Sequence, residues 1–497
     1  MLALRHLSRR IRTLQRPSPR GATWLAAGMY AAVLSYASID RHERFVTGGY
    51  DLGIFDQGIW LLGQARRPFS TVRGRDLLAD HFQPAIVLLA PLGALEVTPA
   101  ALLILQSVLL AAAAVPLYTL ARQRGAHELL ALTVALLWLA SPLTQWANLF
   151  DYHPETAVPL LLAHAAVQVE RGHHGRFLAL ATAASLLKED VALVFLGWGL
   201  LLVLQGKRRF GTLLAGAALA WFLLATKVFL PLFGGNSDWY AARFAGHRGS
   251  SLGDMGLWLL EHPLQALRET ATPTNAKLLL ALILSSGGLA LLAPALLLPI
   301  VPALTGNLFS AYVFQHQLQY HYQVIPALGF ALASAYGAGA LQRRRPAVVR
   351  SATVLLLAAV AVFAVAGPAS EELRADAAPD RDARVRAVSL VPAHVPTAAA
   401  HNLVPHLAHR REIYQLPEPF FSRPDNGERW TAEELRERAR KVEWVVHEVV
   451  GLDPVRRSQI RQLPLILRAR GFTEVFNEDG VRVFRHPAST DDSDIPP

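Results

Sequence analysis

The chain has 497 residues, of which 52% are hydrophobic and only 17% charged, and its formal net charge is +10. A soluble protein would carry about 25% charged residues, and apolar runs long enough to span a bilayer recur along the first three quarters, so a polytopic membrane protein is expected. There is no cysteine, which excludes disulfides and thiolate metal sites; the positive charge follows membrane topology and gives no reason to invoke nucleic acid.

Residues 1–21 form a basic tail with no acid, read as a cytoplasmic anchor. The run that follows, about 22–39, has a basic flank but no small-residue cleavage site, and reads as a retained first span. A first outer loop covers 40–98 and contains "YDLGIFDQGIW" (50–60). Phe55, Ile59 and Leu62 recur at helical spacing, so 54–64 is expected to form a helix lying along the outer leaflet. Asp51 would precede that helix and Asp56 would sit in its first turn, where the dipole favours a carboxylate. The proline-bracketed run 84–97 is too short to cross and reads as re-entrant or interfacial.

Further spans are expected near 99–121, 127–147, 156–170, 176–187, 191–205, 210–230, 276–291, 292–308, 323–341 and 348–367, about eleven in all. With the N-terminus inside, the basic clusters at Arg122 and Arg124, Arg171 and Arg176, Lys207 to Arg209, and Arg343 to Arg350 all fall in inside loops. The polar motifs then fall together outside: "YDLGIFDQ", "ADHFQP" (79–84), "FDYHPE" (150–155), "LKED" (187–190) and "QHQLQYHYQ" (315–323). Charge at membrane depth is costly, so these clusters point to one shared outer cavity. Tyr50, Asp80, His81, Glu189, Asp190, His316 and Tyr322 are its candidate lining.

Asp151, His153 and Glu155 alternate, and in an extended segment would share one face. Such a set suits a divalent cation, magnesium or manganese, with Asp80 and His81 in reserve; the plainer reading is a cap on the next span begun by Pro154. Lys188 is a natural partner for a lipid phosphate or for a neighbouring acid. His321 is a second candidate on the outer face.

From 368 onward charge rises. Residues 385–391 and 443–450 read as buried strands, 431–442 as a helix opened by a Thr431/Glu434 capping box, and 473–486 as a hairpin turning at Asp479-Gly480. An extracytoplasmic α/β domain is expected over 368–486, with a disordered tail over 487–497. In "HNLVPHLAHRREIYQLP" (401–417), Arg410 and Arg411 are placed to meet an anionic headgroup if this edge closes over the cavity.

The motifs "YDLGIFDQGIW", "DHFQPAIVLLAPL", "LFDYHPE", "LLKEDVAL", "HYQVIPAL" and "PHLAHRREIY", in that order, resemble those of DUF2079, a family of predicted prokaryotic membrane proteins. The resemblance runs from about 25 to 485. Its layout in turn resembles the GT-C class of membrane glycosyltransferases, which implies a GT-C-like helical bundle with amphipathic helices on its outer face. That resemblance implies a polyprenyl-phosphate-linked sugar as donor and a lipid, glycan or protein as acceptor. It maps Asp51, or alternatively Asp56, to the first-loop acid that acts as general base or acceptor-orienting group. Asp151 and Glu155 correspond to a second acidic motif, with His153 departing from the usual pair. Lys188, His321 and Arg410 would meet the carrier phosphate. The competing readings are a lipid or solute transporter or flippase, and a non-catalytic cell-envelope recognition protein.

Overall fold

The structure is a computed structural model and describes residues 18–236, 243, 251–421, 430–449 and 454–487. The basic stretch up to 17 and the tail from 488 lie outside the described residues.

The chain is mostly helical. The first long helix, Pro19–Glu43, opens on Ser18, whose hydroxyl accepts from the Gly21 N–H, and carries Pro at its first position. Thr23, Ala27, Tyr30, Leu34 and Ser38 make its buried stripe. Trp24, Leu25, Met29, Val33 and Tyr36 stand exposed on the other side. An apolar face with no protein cover is what a bilayer demands of a helix. At its C-terminal end Arg41 and Arg44 pair with Glu372, which ties this helix to the span Pro346–Glu372.

Among the described residues five helices are long and apolar enough to cross a membrane: Pro19–Glu43, Ala100–Gln123, Arg208–Leu232, His321–Arg344 and Pro346–Glu372. The pair Glu128–Ala140 and Pro142–Leu149, bent by 41°, makes a sixth if taken as one span. The other five expected spans are shorter. Val158–Glu170, Ala192–Leu204 and Pro273–Ser285 have 13 residues each and His174–Ser185 has 12. The expected span 292–308 is broken: Gly287 and Gly288 are left-handed, and 3-10 turns at Leu289–Leu292 and Pro294–Ile300 precede the helix Val301–Phe309. Prolines at 294, 299 and 302 remove the amides an α-helix would need there. The run 84–94 is short, as expected, with Leu88 76% exposed.

Two local readings are corrected. The helix after Asp51, Ile54–Gly63, does not lie on a lipid surface. Every residue from Ile54 to Leu61 is buried, because its polar face is covered by the C-terminal segment. The expected strand 385–391 is a helix, Arg381–Ser389, whose Arg384 is buried between Asp380 and Glu448.

A small antiparallel pair, β1 (Phe69–Ser70) and β2 (Arg75–Asp76), lies between the helices Ile54–Gly63 and Leu77–Asp80. The C-terminal segment contains a five-stranded sheet of β3 (Thr397–Ala399), β4 (Ile413–Gln415), β5 (Trp444–His447), β6 (Thr473–Glu478) and β7 (Val481–Arg485). Its order is β4-β3-β5-β7-β6; β3 is parallel to both neighbours, and β5-β7 and β7-β6 are antiparallel. The capping box at Thr431 and the hairpin at Asp479-Gly480 form as expected. Strands β3 and β4 were missed because three residues are too few to show alternation.

Candidate functional site

Asp51 sits on a π-helical turn, Gly49–Gly53, closed by the Gly53 N–H donating to Gly48 O at 3.1 Å. Such wide turns recur at functional sites. The turn is anchored from below by Asp151, whose Oδ2 accepts from the Gly48 N–H at 2.6 Å. Burial, and then the nearby Asp51, push the Asp151 carboxyl up to about 7. The Asp51 side chain keeps 30% exposure, and its Oδ1 is 3.3 Å from His153 Nε2. His153 Nδ1 donates to the Asp151 carbonyl at 2.8 Å, which fixes the ring. Burial would lower the His153 pKa, but Asp51 and Glu155 raise it on balance.

From His153 a polar chain runs inward. Its ring stacks on His321, with centroids 3.5 Å apart. His321 Nε2 is 3.4 Å from Glu155 Oε1, and Lys188 Nζ donates to the same oxygen at 3.1 Å. Burial would discharge Lys188, but Asp190, Glu155 and Glu189 outweigh it and raise its pKa. Burial would likewise raise Glu155, yet Lys188 and His321 hold its carboxyl below the usual range. Beside them Glu189 takes His81 Nδ1 at 2.8 Å and the Phe82 N–H at 2.9 Å.

These groups open on a cavity of about 470 Å³. Lys188, Glu155, Glu189, Asp190, His81 and His321 line it, as do Arg243 and Tyr322. Phe222, Leu230, Leu259, Val301 and Ile325 make an apolar wall. Arg243 also lies over the Tyr312 ring, 4.6 Å from its centroid. Burial raises the Tyr312 pKa, Arg243 and Arg73 oppose that rise, and Asp51 adds to it. Asp51 itself is not part of the lining: it contacts His153, which stacks on the lining residue His321. His321 Nδ1 is buried without a hydrogen-bond partner among the described residues.

Several expected residues do other work. Asp56 is fully buried and its Oδ1 is 3.0 Å from His409 Nε2, facing the C-terminal segment, so the two acids of the motif are separated in role. Arg410 does not face the cavity. Its guanidinium is buried within the C-terminal segment, donating to the carbonyls of Leu407 and Val395 and to Thr397, which leaves it no reach to a headgroup. His316 is clamped between Asn275 Oδ1 at 2.7 Å and Ser310 O at 2.6 Å. Asp80 is held by Arg73 at 2.8 Å and Arg75 at 3.5 Å. Tyr50 packs beneath Arg73, whose guanidinium is 5.9 Å from its ring.

The expected shared face of Asp151, His153 and Glu155 does not form. Pro154 begins a 3-10 turn, Pro154–Ala157, which swings Glu155 toward Lys188 while Asp151 is turned to the Gly48 amide. Among the described residues no group of three His, Asp or Glu side chains could hold a metal ion. Arg73, Arg75 and Arg243 were missed by sequence reasoning. The dipeptide repeat "RGRD" (73–76), basic in an outer loop against the general trend, was the available signal for the first two.

No curated protein matches the chain. Two crystal structures of ArnT from Cupriavidus metallidurans are similar in fold. The one bound to undecaprenyl phosphate has 14% identity and a TM-score of 0.50, covering 94% of this chain and 98% of the other. The apo form has 14% identity and a TM-score of 0.49, covering 91% and 97%. The family model described as a predicted membrane protein, DUF2079, matches residues 41–483. This chain thus belongs to the DUF2079 family of predicted membrane proteins.

Proposed function

We propose that this membrane protein is a glycosyltransferase that takes a sugar from a polyprenyl-phosphate carrier and passes it to a lipid, glycan or protein on the extracytoplasmic face. The observation that carries this reading is the mixed lining of the cavity: apolar residues that suit an isoprenoid chain, together with the cation Lys188, its neighbour His321, and Arg243, which suit a phosphate. The fold likeness to ArnT, solved with undecaprenyl phosphate bound, supports the same class of carrier. The eleven-span count and an outside C-terminus belong to this reading, with the shorter helices spanning a locally thinned or protein-lined region.

The chemistry follows from the side chains. Asp51 takes the proton of the acceptor hydroxyl as that oxygen bonds to the anomeric carbon. The bond from that carbon to the carrier phosphate breaks, and the phosphate leaves with the electron pair. Lys188, kept charged by its acids in a low-dielectric site, is positioned to stabilise that anion. His321 Nδ1 is a ready donor or acceptor for the same group.

The test is native mass spectrometry of lipid retained by the wild type and by Asp51→Asn, combined with turnover of whatever sugar-lipid is found. Asp51→Asn is expected to hold the donor and to cut turnover about a hundredfold or more. A fully active Asp51→Asn protein would remove Asp51 from the mechanism. The broken stretch 287–300 beside the cavity favours a transporter as the second reading. Movement of a lipid across vesicles, with no sugar transferred, would establish that reading instead.

A further inference from the structure

From the contacts of the first-loop turn we infer that the C-terminal segment is the upper jaw of a clamp that positions Asp51, with Val404 and His401 as positioning residues. This rests on the transferase reading for its catalytic consequence, but the clamp itself is geometric.

The turn Gly49–Gly53 is held on both sides. From the membrane domain Asp151 takes the Gly48 amide. From the C-terminal segment the His401 carbonyl accepts from the Gly49 N–H at 2.7 Å. His401 is in turn fixed by its Nδ1, 3.0 Å from Gln415 Oε1. The turn is glycine-rich because there is no room for side chains. A Cβ on Gly49 would fall 2.7 Å from Val404 Cβ and 2.8 Å from Gln415 Oε1, and one on Gly48 would fall 2.4 Å from His401 Nε2. A Cβ on Gly53 would meet a single atom too closely, Val404 Cγ1 at 2.9 Å, with nothing else nearer than 3.7 Å.

The place of this jaw in the sheet is informative. His401 to Val404 follow directly on β3, and Gln415 ends β4, so both lie at the carboxyl ends of parallel strands. Open α/β sheets usually take their ligand at that edge. Here the protein's own first loop sits against it. The C-terminal segment is therefore built to hold the loop that carries Asp51, and its carboxyl edge is already taken. A second fastening lies a turn further on. Fully buried Gln57 donates to the carbonyls of Arg410 and Arg411, and the Thr71 hydroxyl is hydrogen-bonded to both the carbonyl and the amide of Ile413. Fixing a reacting group in this way is worth much in rate, since an ångström of misplacement costs about a hundredfold.

Gly53 gives a clean test, because its φ of −63° and ψ of −34° suit alanine and the only close clash is with Val404. Gly53→Ala in the full chain is expected to lower turnover about tenfold or more while leaving affinity for undecaprenyl phosphate unchanged. Adding Val404→Ala removes Cγ1 and is expected to recover most of the lost turnover. Hydrogen exchange at the amides of 48–53 is expected to rise in Gly53→Ala and fall back in the double variant. Unchanged exchange in Gly53→Ala, or a turnover defect that Val404→Ala does not relieve, would overturn the clamp. A wild type that transfers no sugar to any acceptor would count against the transferase reading alone, because the exchange measurements still decide the clamp.

Discussion

Lys188 illustrates how a buried charge is kept for use. A lone ammonium at this depth would shed its proton, yet Glu155 at 3.1 Å and Asp190 at 3.9 Å keep it charged. In the proposed reaction an incoming phosphate would meet a cation that is already ionised and already ordered. Lys188→Ala is expected to weaken binding of undecaprenyl phosphate by about tenfold to a hundredfold, the worth of one charge-assisted hydrogen bond. Because removing the cation leaves three acids facing one another, Lys188→Arg serves as the folded control and is expected to bind within a few-fold of wild type. Equal affinity in wild type and Lys188→Ala would remove Lys188 from the phosphate site. At this scale much was legible in the sequence: charge inside an apolar run marked Lys188, Glu189, His81, His321 and Tyr322, and all five line the cavity. The direction in which a side chain points was not legible. Nothing in the spacing of Asp51 and Asp56 says that one would reach His153 and the other His409. Nothing in "FDYHPE" says that Pro154 would turn Glu155 away from Asp151.

At the scale of elements, the helix Ile54–Gly63 was legible from its period but its surroundings were not. A stripe of apolar residues predicts that one face is covered; it does not say by what, and the polar face here is buried too. The cover comes from a segment about 350 residues later in the chain, a pairing that local pattern cannot carry. Asp56 and His409 form part of that contact, with Thr98 Oγ1 also 2.9 Å from His409 Nε2 and the Trp60 ring stacked 6.0 Å away. Burial would lower the His409 pKa, but Asp56 outweighs it and raises it above the ordinary 6.5. A raised imidazole binds its proton more tightly in the folded protein. Its contribution to stability is therefore complete below pH 6.5 and is lost as pH climbs through the raised folded value. The melting temperature in detergent is expected to fall between about pH 6 and 9 by more in the wild type than in His409→Gln. Parallel curves for the two proteins would show that this contact does not depend on the His409 charge. The same dependence on distant partners explains the helix Arg381–Ser389. Val, Leu and Ala in 385–391 suit either helix or strand, and Arg384, by meeting Asp380 four residues back and Glu448 across the fold, decides for helix.

The whole molecule has two unlike ends. The span His321–Arg344 has 24 residues, a length of about 36 Å at 1.5 Å per residue, and it joins them. At one end His321 meets His153 and Glu155 in the charged cavity. At the other Arg343 donates to the Arg124 carbonyl, and Arg124 pairs with Glu170 at 2.6 Å. Basic clusters that are far apart in the sequence thus gather at the end opposite the cavity. This is the arrangement expected if that end faces the cytoplasm and the cavity faces out. A chain without cysteine makes the point measurable, since each single introduced thiol reports one position. Arg209, in the first turn of the helix Arg208–Leu224, and Glu433, at the start of the helix Ala432–Lys441, are both exposed. On intact cells a membrane-impermeant maleimide is expected to label Glu433→Cys and to spare Arg209→Cys until the membrane is opened. The reverse pattern would put the cavity on the cytoplasmic side, where the carrier-linked sugar of the proposed reaction would have to be used before it crossed the membrane. The argument from arginine placement would then fail together with the outward-facing acceptor, whereas the clamp on Asp51, which depends only on packing, would stand.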